Sequence, residues 1–203
     1  MFLANIYKKA HFKSIMVALL TIVIILIVVI VALAVLMFIY YYNKFVILEN
    51  RIDNSLSQID VQLKKRADLV PNLMNSVKGY MKHEKYIVKE VTDARKALLS
   101  AKTIQQKAKA GAELQHALKS IFAIAENYPN LKANENFLQL QNELSAIEDK
   151  VAYSRQFYND SILDYNNSVK SFPGNFFASI YSKQEKKFLE IPAEARAVPK
   201  ISF

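Results

Sequence analysis

From Ile15 to Tyr42 the chain runs for 28 residues without a charged side chain, and that pattern predicts a helix that crosses a membrane. An α-helix rises about 1.5 Å per residue, so roughly 20 apolar residues span the hydrocarbon core of a bilayer. The run exceeds the ~7–15-residue apolar region of a cleaved leader, and a small-residue cleavage site is lacking. Tyr40, Tyr41 and Tyr42 stand where an aromatic belt marks the membrane–water boundary.

Beyond the anchor the apolar residues take helical spacing. Phe45, Leu48, Ile52, Leu56, Ile59 and Leu63 predict a helix that continues from the anchor. It is expected to end near Asp68, because Pro71 disfavours helical geometry at the residue before it. Pro71 then suits the first turn of a second helix, with the register Leu73, Val77, Tyr80, Glu84, Ile87, Val91, Ala94, Leu98 and Ala101. After a break near Thr103, Leu114, Leu118, Ile121 and Ala125 mark a third helix, closed by Tyr128-Pro129-Asn130. A fourth begins near Asn134, follows Phe137, Leu140, Leu144, Ile147, Val151, Tyr158, Ile162, Tyr165 and Val169, and closes at Phe172-Pro173-Gly174. The expected fold is all-α: an N-terminal transmembrane helix followed by an antiparallel up-and-down four-helix bundle. Its divisions are a basic N-terminal arm (1–14), the transmembrane helix (15–42), the bundle (43–172), and a short helix with a C-terminal tail (173–203). A long dimeric coiled coil is the competing architecture, opposed by the proline-marked turns.

Composition narrows the function. Three glycines and five prolines in 203 residues are too few for an all-β fold, and the absence of cysteine removes disulfides, thiolate nucleophiles and iron–sulfur clusters. The net charge is +9, with Lys8, Lys9 and Lys13 ahead of the anchor against Lys44 and Arg51 just after it. The positive-inside rule then favours a cytoplasmic amino terminus and a bundle on the non-cytoplasmic side. Basic and acidic residues alternate beyond the anchor, so nucleic acid is not an expected partner.

Several longer segments carry a resemblance. Ser57-Gln-Ile-Asp-Val-Gln-Leu-Lys-Lys-Arg-Ala-Asp-Leu-Val-Pro-Asn-Leu73, Val77-Lys-Gly-Tyr80, His83-Glu84, Val91-Thr-Asp-Ala-Arg95, Glu126-Asn-Tyr-Pro-Asn-Leu-Lys-Ala-Asn-Glu-Asn-Phe137, Arg155-Gln-Phe-Tyr-Asn159, Tyr165-Asn166 and Phe172-Pro173 together resemble the LemA family. The resemblance implies an N-terminal anchor, an antiparallel four-helix domain and no established enzymatic activity. Leu56 departs from it, standing where the family often carries Trp.

Bundle geometry then groups the candidate residues. The first–second and third–fourth connections share the end distal to the membrane. There Lys64, Lys65, Arg66, Asp68, Asn72, Tyr128, Asn130, Lys132 and Asn134 form a candidate partner-binding tip. The opposite end collects Lys44, Lys102, Lys107, Lys109, Lys170, Lys183, Lys186 and Lys187, a candidate lipid-facing collar. Glu84 occupies an apolar position of its register; with Arg95 and Arg155 it is a candidate buried polar contact that fixes how the helices align. The alternative is a metal-binding bundle centred on Glu84 with His83, Glu113, His116 and Glu148, although a second Glu-x-x-His pair is missing. Asn159-Asp-Ser161 and Asn166-Asn-Ser168 match the glycosylation pattern but fall within a helix and should stay unmodified. No cofactor is expected. The expected function is non-catalytic: a single-pass scaffold or protein-interaction module in a bacterial cell membrane. Its partners are the lipid bilayer, other membrane-associated proteins and a possible second copy of itself.

Overall fold

The computed structural model describes residues 2–81 and 84–190, whose regular structure is all helix, with no strand among them. Six helices follow in order: α1 (Phe2–Val77), α2 (Lys85–Ser100), α3 (Ile104–Ala125), α4 (Pro129–Lys132), α5 (Glu135–Lys170) and α6 (Gly174–Ile180). His83 and the tail beyond Glu190 lie outside the described residues. The uncharged run and the amphipathic stretch after it form one unbroken helix, α1, long and apolar enough to cross a membrane by length and composition. Its large apolar side chains between Met16 and Ile39 are exposed, Ile25 by 62%. A soluble core would bury them.

The chain divides into two compact units. In one, Ser168–Gln184 joins the part of α1 that ends at Ile47. Here α6 packs on α1 through aromatic rings: Phe177 stacks on Tyr41 at 4.6 Å and meets Phe38 edge-on at 5.0 Å. The Tyr181 hydroxyl donates to the Phe38 carbonyl at 2.8 Å. Gly174 begins α6 against the Ser168 carbonyl oxygen, where any Cβ would collide with backbone.

The other unit comprises Leu48–Asn167 and the segment from Glu185 onward. Its core is built from Ile52, Ile59, Leu63, Val70 and Leu73 of α1, Val91 and Leu98 of α2, Leu114, Leu118 and Ile121 of α3, and Phe137, Leu144, Val151, Ile162 and Tyr165 of α5. Polar pairs give the helix directions. Arg51 meets Asp164 at 3.1 Å and Arg66 meets Glu148, so α1 and α5 run antiparallel. Asp60 meets Lys107 at 2.6 Å and Arg66 reaches Gly111, so α1 and α3 run the same way. Arg155 reaches Ala108, and Phe122 packs on Phe137 at 5.9 Å, so α3 and α5 run antiparallel.

One boundary differs from expectation. The first helix does not end near Asp68; α1 passes through Pro71 to Val77, and the first connection follows at 78–84. Proline has no N–H, so Pro71 leaves the Ala67 carbonyl without its helical donor. Ala67 is fully buried, and an unpaired carbonyl there is costly. Arg95 of α2 supplies the missing donor: its Nε bonds the Ala67 carbonyl at 2.7 Å. Where α1 does end, the N–H groups of Tyr80 and Met81 turn back to the Val77 carbonyl around Gly79. The break near Thr103 is a helix start with a capping box, the Thr103 and Gln106 side chains each bonding the other's backbone. Asn134 caps α5, its Oδ1 accepting from the Phe137 N–H at 3.1 Å.

The exchange between Pro71 and Arg95 is measurable by denaturant unfolding. Arg95→Met should destabilise the chain by about 1–3 kcal/mol by leaving the Ala67 carbonyl unpaired. In a Pro71→Ala background the same change should cost clearly less, because the backbone N–H at position 71 restores the helical bond. Equal costs in both backgrounds would separate Arg95 from the proline.

Candidate functional site

The apolar steps along α1, Ile59, Leu63, then Val70 and Leu73, pass through position 66, so helical geometry turns Arg66 inward. Its side chain is 1% exposed. It donates to the Glu148 carboxylate and, through Nη1, to the Gly111 carbonyl at 3.3 Å. From α5, Arg155 Nη2 donates to the Ala108 carbonyl at 3.2 Å. The Nε atoms of Arg66 and Arg155 are both buried without a hydrogen-bond partner among the described residues. Burial pulls both guanidiniums below their usual range, and the nearby Glu148 carboxylate opposes that pull on each. Two cations thus share one carboxylate.

A groove of about 600 Å³ opens above this cluster. Gln115, His116 and Lys119 of α3 line one wall, and Ala152, Gln156 and Asn159 of α5 the other. Leu189 and Glu190 border it. The segment from Glu185 to Glu190 has no regular structure, yet α5 holds it by two asparagines. Asn166 Nδ2 donates to the Lys186 carbonyl at 2.8 Å, and its Oδ1 accepts from the Lys186 N–H at 2.9 Å. Asn159 does the same to Leu189, at 3.0 and 2.8 Å. The spacings match. Seven helical residues advance about 10 Å along α5, and three extended residues cover about the same distance. Lys186 Nζ also lies 5.3 Å from the Tyr165 ring centre, and Leu189 is buried.

The expected tip is only partly assembled. Lys64, Lys65, Asp68 and Asn72 lie on the exposed side of α1 rather than in a turn, and Arg66 is interior. The helix persists through Pro71, so these residues never reach the connection. Tyr128, Asn130, Lys132 and Asn134 do lie between α3 and α5. Glu84 sits in the first connection, where Tyr128 donates its hydroxyl to it. That bond, then desolvation, raises the phenol above its usual pKa. Glu84 is therefore not in the middle of a helix, although its partner is a tyrosine from another element. Arg95 and Arg155 each hydrogen-bond a backbone carbonyl of another helix.

The proposed collar lysines fall in both units, Lys44, Lys170 and Lys183 in one and Lys102, Lys107, Lys109, Lys186 and Lys187 in the other. Lys107 pairs with Asp60, and Lys44 lies over the Tyr41 ring at 5.7 Å. The metal alternative lacks an assembled donor set among the described residues, where no three His, Asp or Glu side chains converge. Glu148 is taken by Arg66, Glu84 by Tyr128, and His116 stands 3.8 Å from Glu90. His83 lies outside the described residues. The sequence reading missed Asn159 and Asn166 as a clamp. Their signal was a spacing of two helical turns beside the core positions Tyr158, Ile162 and Tyr165.

The family model described as the LemA family matches residues 55–203. The chain is also similar to Magnetosome protein MamQ of Magnetospirillum gryphiswaldense, 26% identical over 179 residues, covering 75% of this chain and 66% of that protein. Protein LemA of Metamycoplasma hominis is 28% identical over 140 residues, covering 67% of this chain and 63% of its own. Magnetosome protein MamQ 2 of Paramagnetospirillum magneticum is 25% identical over 179 residues, with 75% and 66% covered. The chain thus spans just under two thirds of the length of these relatives.

The cluster beneath the groove makes an asymmetric prediction. Glu148→Ala strands a buried guanidinium and should cost about 3–5 kcal/mol in unfolding measurements. Arg66→Met removes that charge and leaves Glu148, 36% exposed, free to hydrate, so it should cost less. The reverse order would show that the carboxylate, not the guanidinium, is the group the interior fails to tolerate.

Proposed function

Since the chain belongs to the LemA family, we propose that it is a non-catalytic, single-pass membrane protein that scaffolds other proteins through a helical domain. In this reading α1 crosses the bilayer, and α1, α2, α3 and α5 form an antiparallel up-and-down four-helix bundle. The alternating directions of the polar pairs support that arrangement. One observation carries the interaction role: α5 grips an extended backbone through paired asparagine amides, beside an open groove. A surface that holds extended chain by main-chain bonds has the chemistry of peptide recognition. Lys44, Lys170 and Lys183, in the same unit as the apolar part of α1, add attraction to anionic lipid, each worth about 1 kcal/mol close to a charged leaflet.

Photocrosslinking residues placed one at a time in the full chain, in intact membranes, test the assignment. Positions Gln115, Ala152 and Gln156 should give discrete adducts with another protein, and Asn142 and Lys150, exposed on α5 outside the groove, should not. Adducts confined to Asn130 and Lys132 would move the contact to the α3–α5 connection. Uniform labelling at every position would remove a defined interaction surface altogether.

A further inference from the structure

The short helix α6 presents three stripes. Gly174, Phe177 and Ala178 are buried, whereas Asn175 and Ser179 form an exposed polar line. The third line is exposed and apolar: Phe176 by 58% and Ile180 by 48%, one helical turn apart, with Phe172, 85% exposed, in the turn that leads into the helix. Isolated exposed apolar residues need no explanation, but three large ones along one nine-residue segment mark a contact surface.

The place of α6 on α1 identifies what it contacts. The charges bounding the apolar run are Lys13 and Lys44. They are about 45 Å apart along the helix, close to the full thickness of a bilayer with its headgroup layers. Phe177 and Tyr181 of the α6 segment contact Phe38, Tyr41 and Tyr42, within the last ~10 Å of that span, and Phe45 just past its end. That is the level of the headgroups, where aromatic rings and amphipathic helices settle. We infer that α6 is an interfacial foot: Phe172, Phe176 and Ile180 enter the boundary layer of the same bilayer that α1 crosses, with Asn175 and Ser179 turned to water. This inference rests on the reading of α1 as a membrane span. The foot gives the anchor a lateral contact with the lipid surface, which a lone transmembrane helix lacks.

The natural absence of cysteine makes the test clean. The full chain is reconstituted in vesicles of phosphatidylcholine and phosphatidylglycerol with one labelled cysteine: Phe176→Cys, Ile180→Cys, Leu26→Cys, or Tyr153→Cys as the exposed reference on α5. Lipids carrying a nitroxide near the headgroup or deep in the acyl chain then quench the label. Labels at 176 and 180 should be quenched several-fold more than the reference by the shallow nitroxide, and less by the deep one. The label at 26 should respond most to the deep one. If 26 behaves so while 176 and 180 match the reference, the foot is refuted and the anchor stands. If 26 is unquenched, the anchor reading fails and takes the foot with it. If 176 and 180 are shielded from an aqueous quencher yet untouched by lipid nitroxides, protein covers the stripe, a second copy of this chain being one such cover, and the lipid assignment is wrong.

Discussion

A guanidinium buried in a helical core constrains every element that touches it. Arg66 is 1% exposed, so its charge must be met within the protein, and among the described residues two acceptors reach it: the Glu148 carboxylate of α5 and the Gly111 carbonyl of α3. Sliding either helix by one turn, about 5.4 Å, would withdraw its acceptor and strand the charge. Apolar side chains alone tolerate such slips, because contact between methyl groups is non-directional. The arginine therefore selects one alignment of α1, α3 and α5 among several that would bury similar area. Gly111 suits this junction: a Cβ there would come within 2.9 Å of the Leu63 side chain.

The same device recurs at lower stakes. Arg95 ties α2 to α1 and Arg155 ties α5 to α3, in each case through a helix carbonyl. Carbonyls already engaged in a helix can accept a second bond, but Ala67 has lost its first to Pro71. There the arginine completes a defect. Without it, Pro71 would leave a buried carbonyl unpaired in the stretch of α1 that carries Leu73 and Val77 to the core.

Much of this could be read from residue patterns. The uncharged run, the break near Thr103 and the turn at Tyr128-Pro129 each rest on local chemistry, and local chemistry survives folding. The first connection was misplaced because a long-range bond decided it. Pro71 signals a boundary unless some distant donor satisfies Ala67, and nothing near position 71 announces Arg95. Gly79 was the better marker, masked by an apolar register that continues across the break from Val77 to Ile87. Arg66 was misassigned for a different reason. The run Lys64-Lys65-Arg66 looks like a solvated basic patch, but adjacent helical residues diverge by about 100°, and only the third falls on the inward line. The asparagine clamp needed knowledge of where the Lys186–Leu189 segment returns, which no local pattern supplies.

The clamp is filled by the chain's own Lys186–Leu189 segment, and a ligand in the groove beside it meets the lining side chains instead. Asn159 and Asn166 bond only main-chain groups, so their grip is indifferent to side-chain identity and excludes only proline at the gripped positions. The side chains lining the groove include Arg66, Lys119 and Arg155, and also Glu148, Asp160 and Glu190. These charges balance, so the groove creates little long-range attraction for either sign. On the reading of this surface as a protein contact, selection falls to short-range geometry: the shape between α3 and α5 and the few donors held rigid by the arginine cluster. A rigid floor matters for that purpose, because a donor that moves with its ligand discriminates less than one fixed before the ligand arrives. The interior charge that sets the alignment of α1, α3 and α5 thereby fixes the two helices that wall the groove.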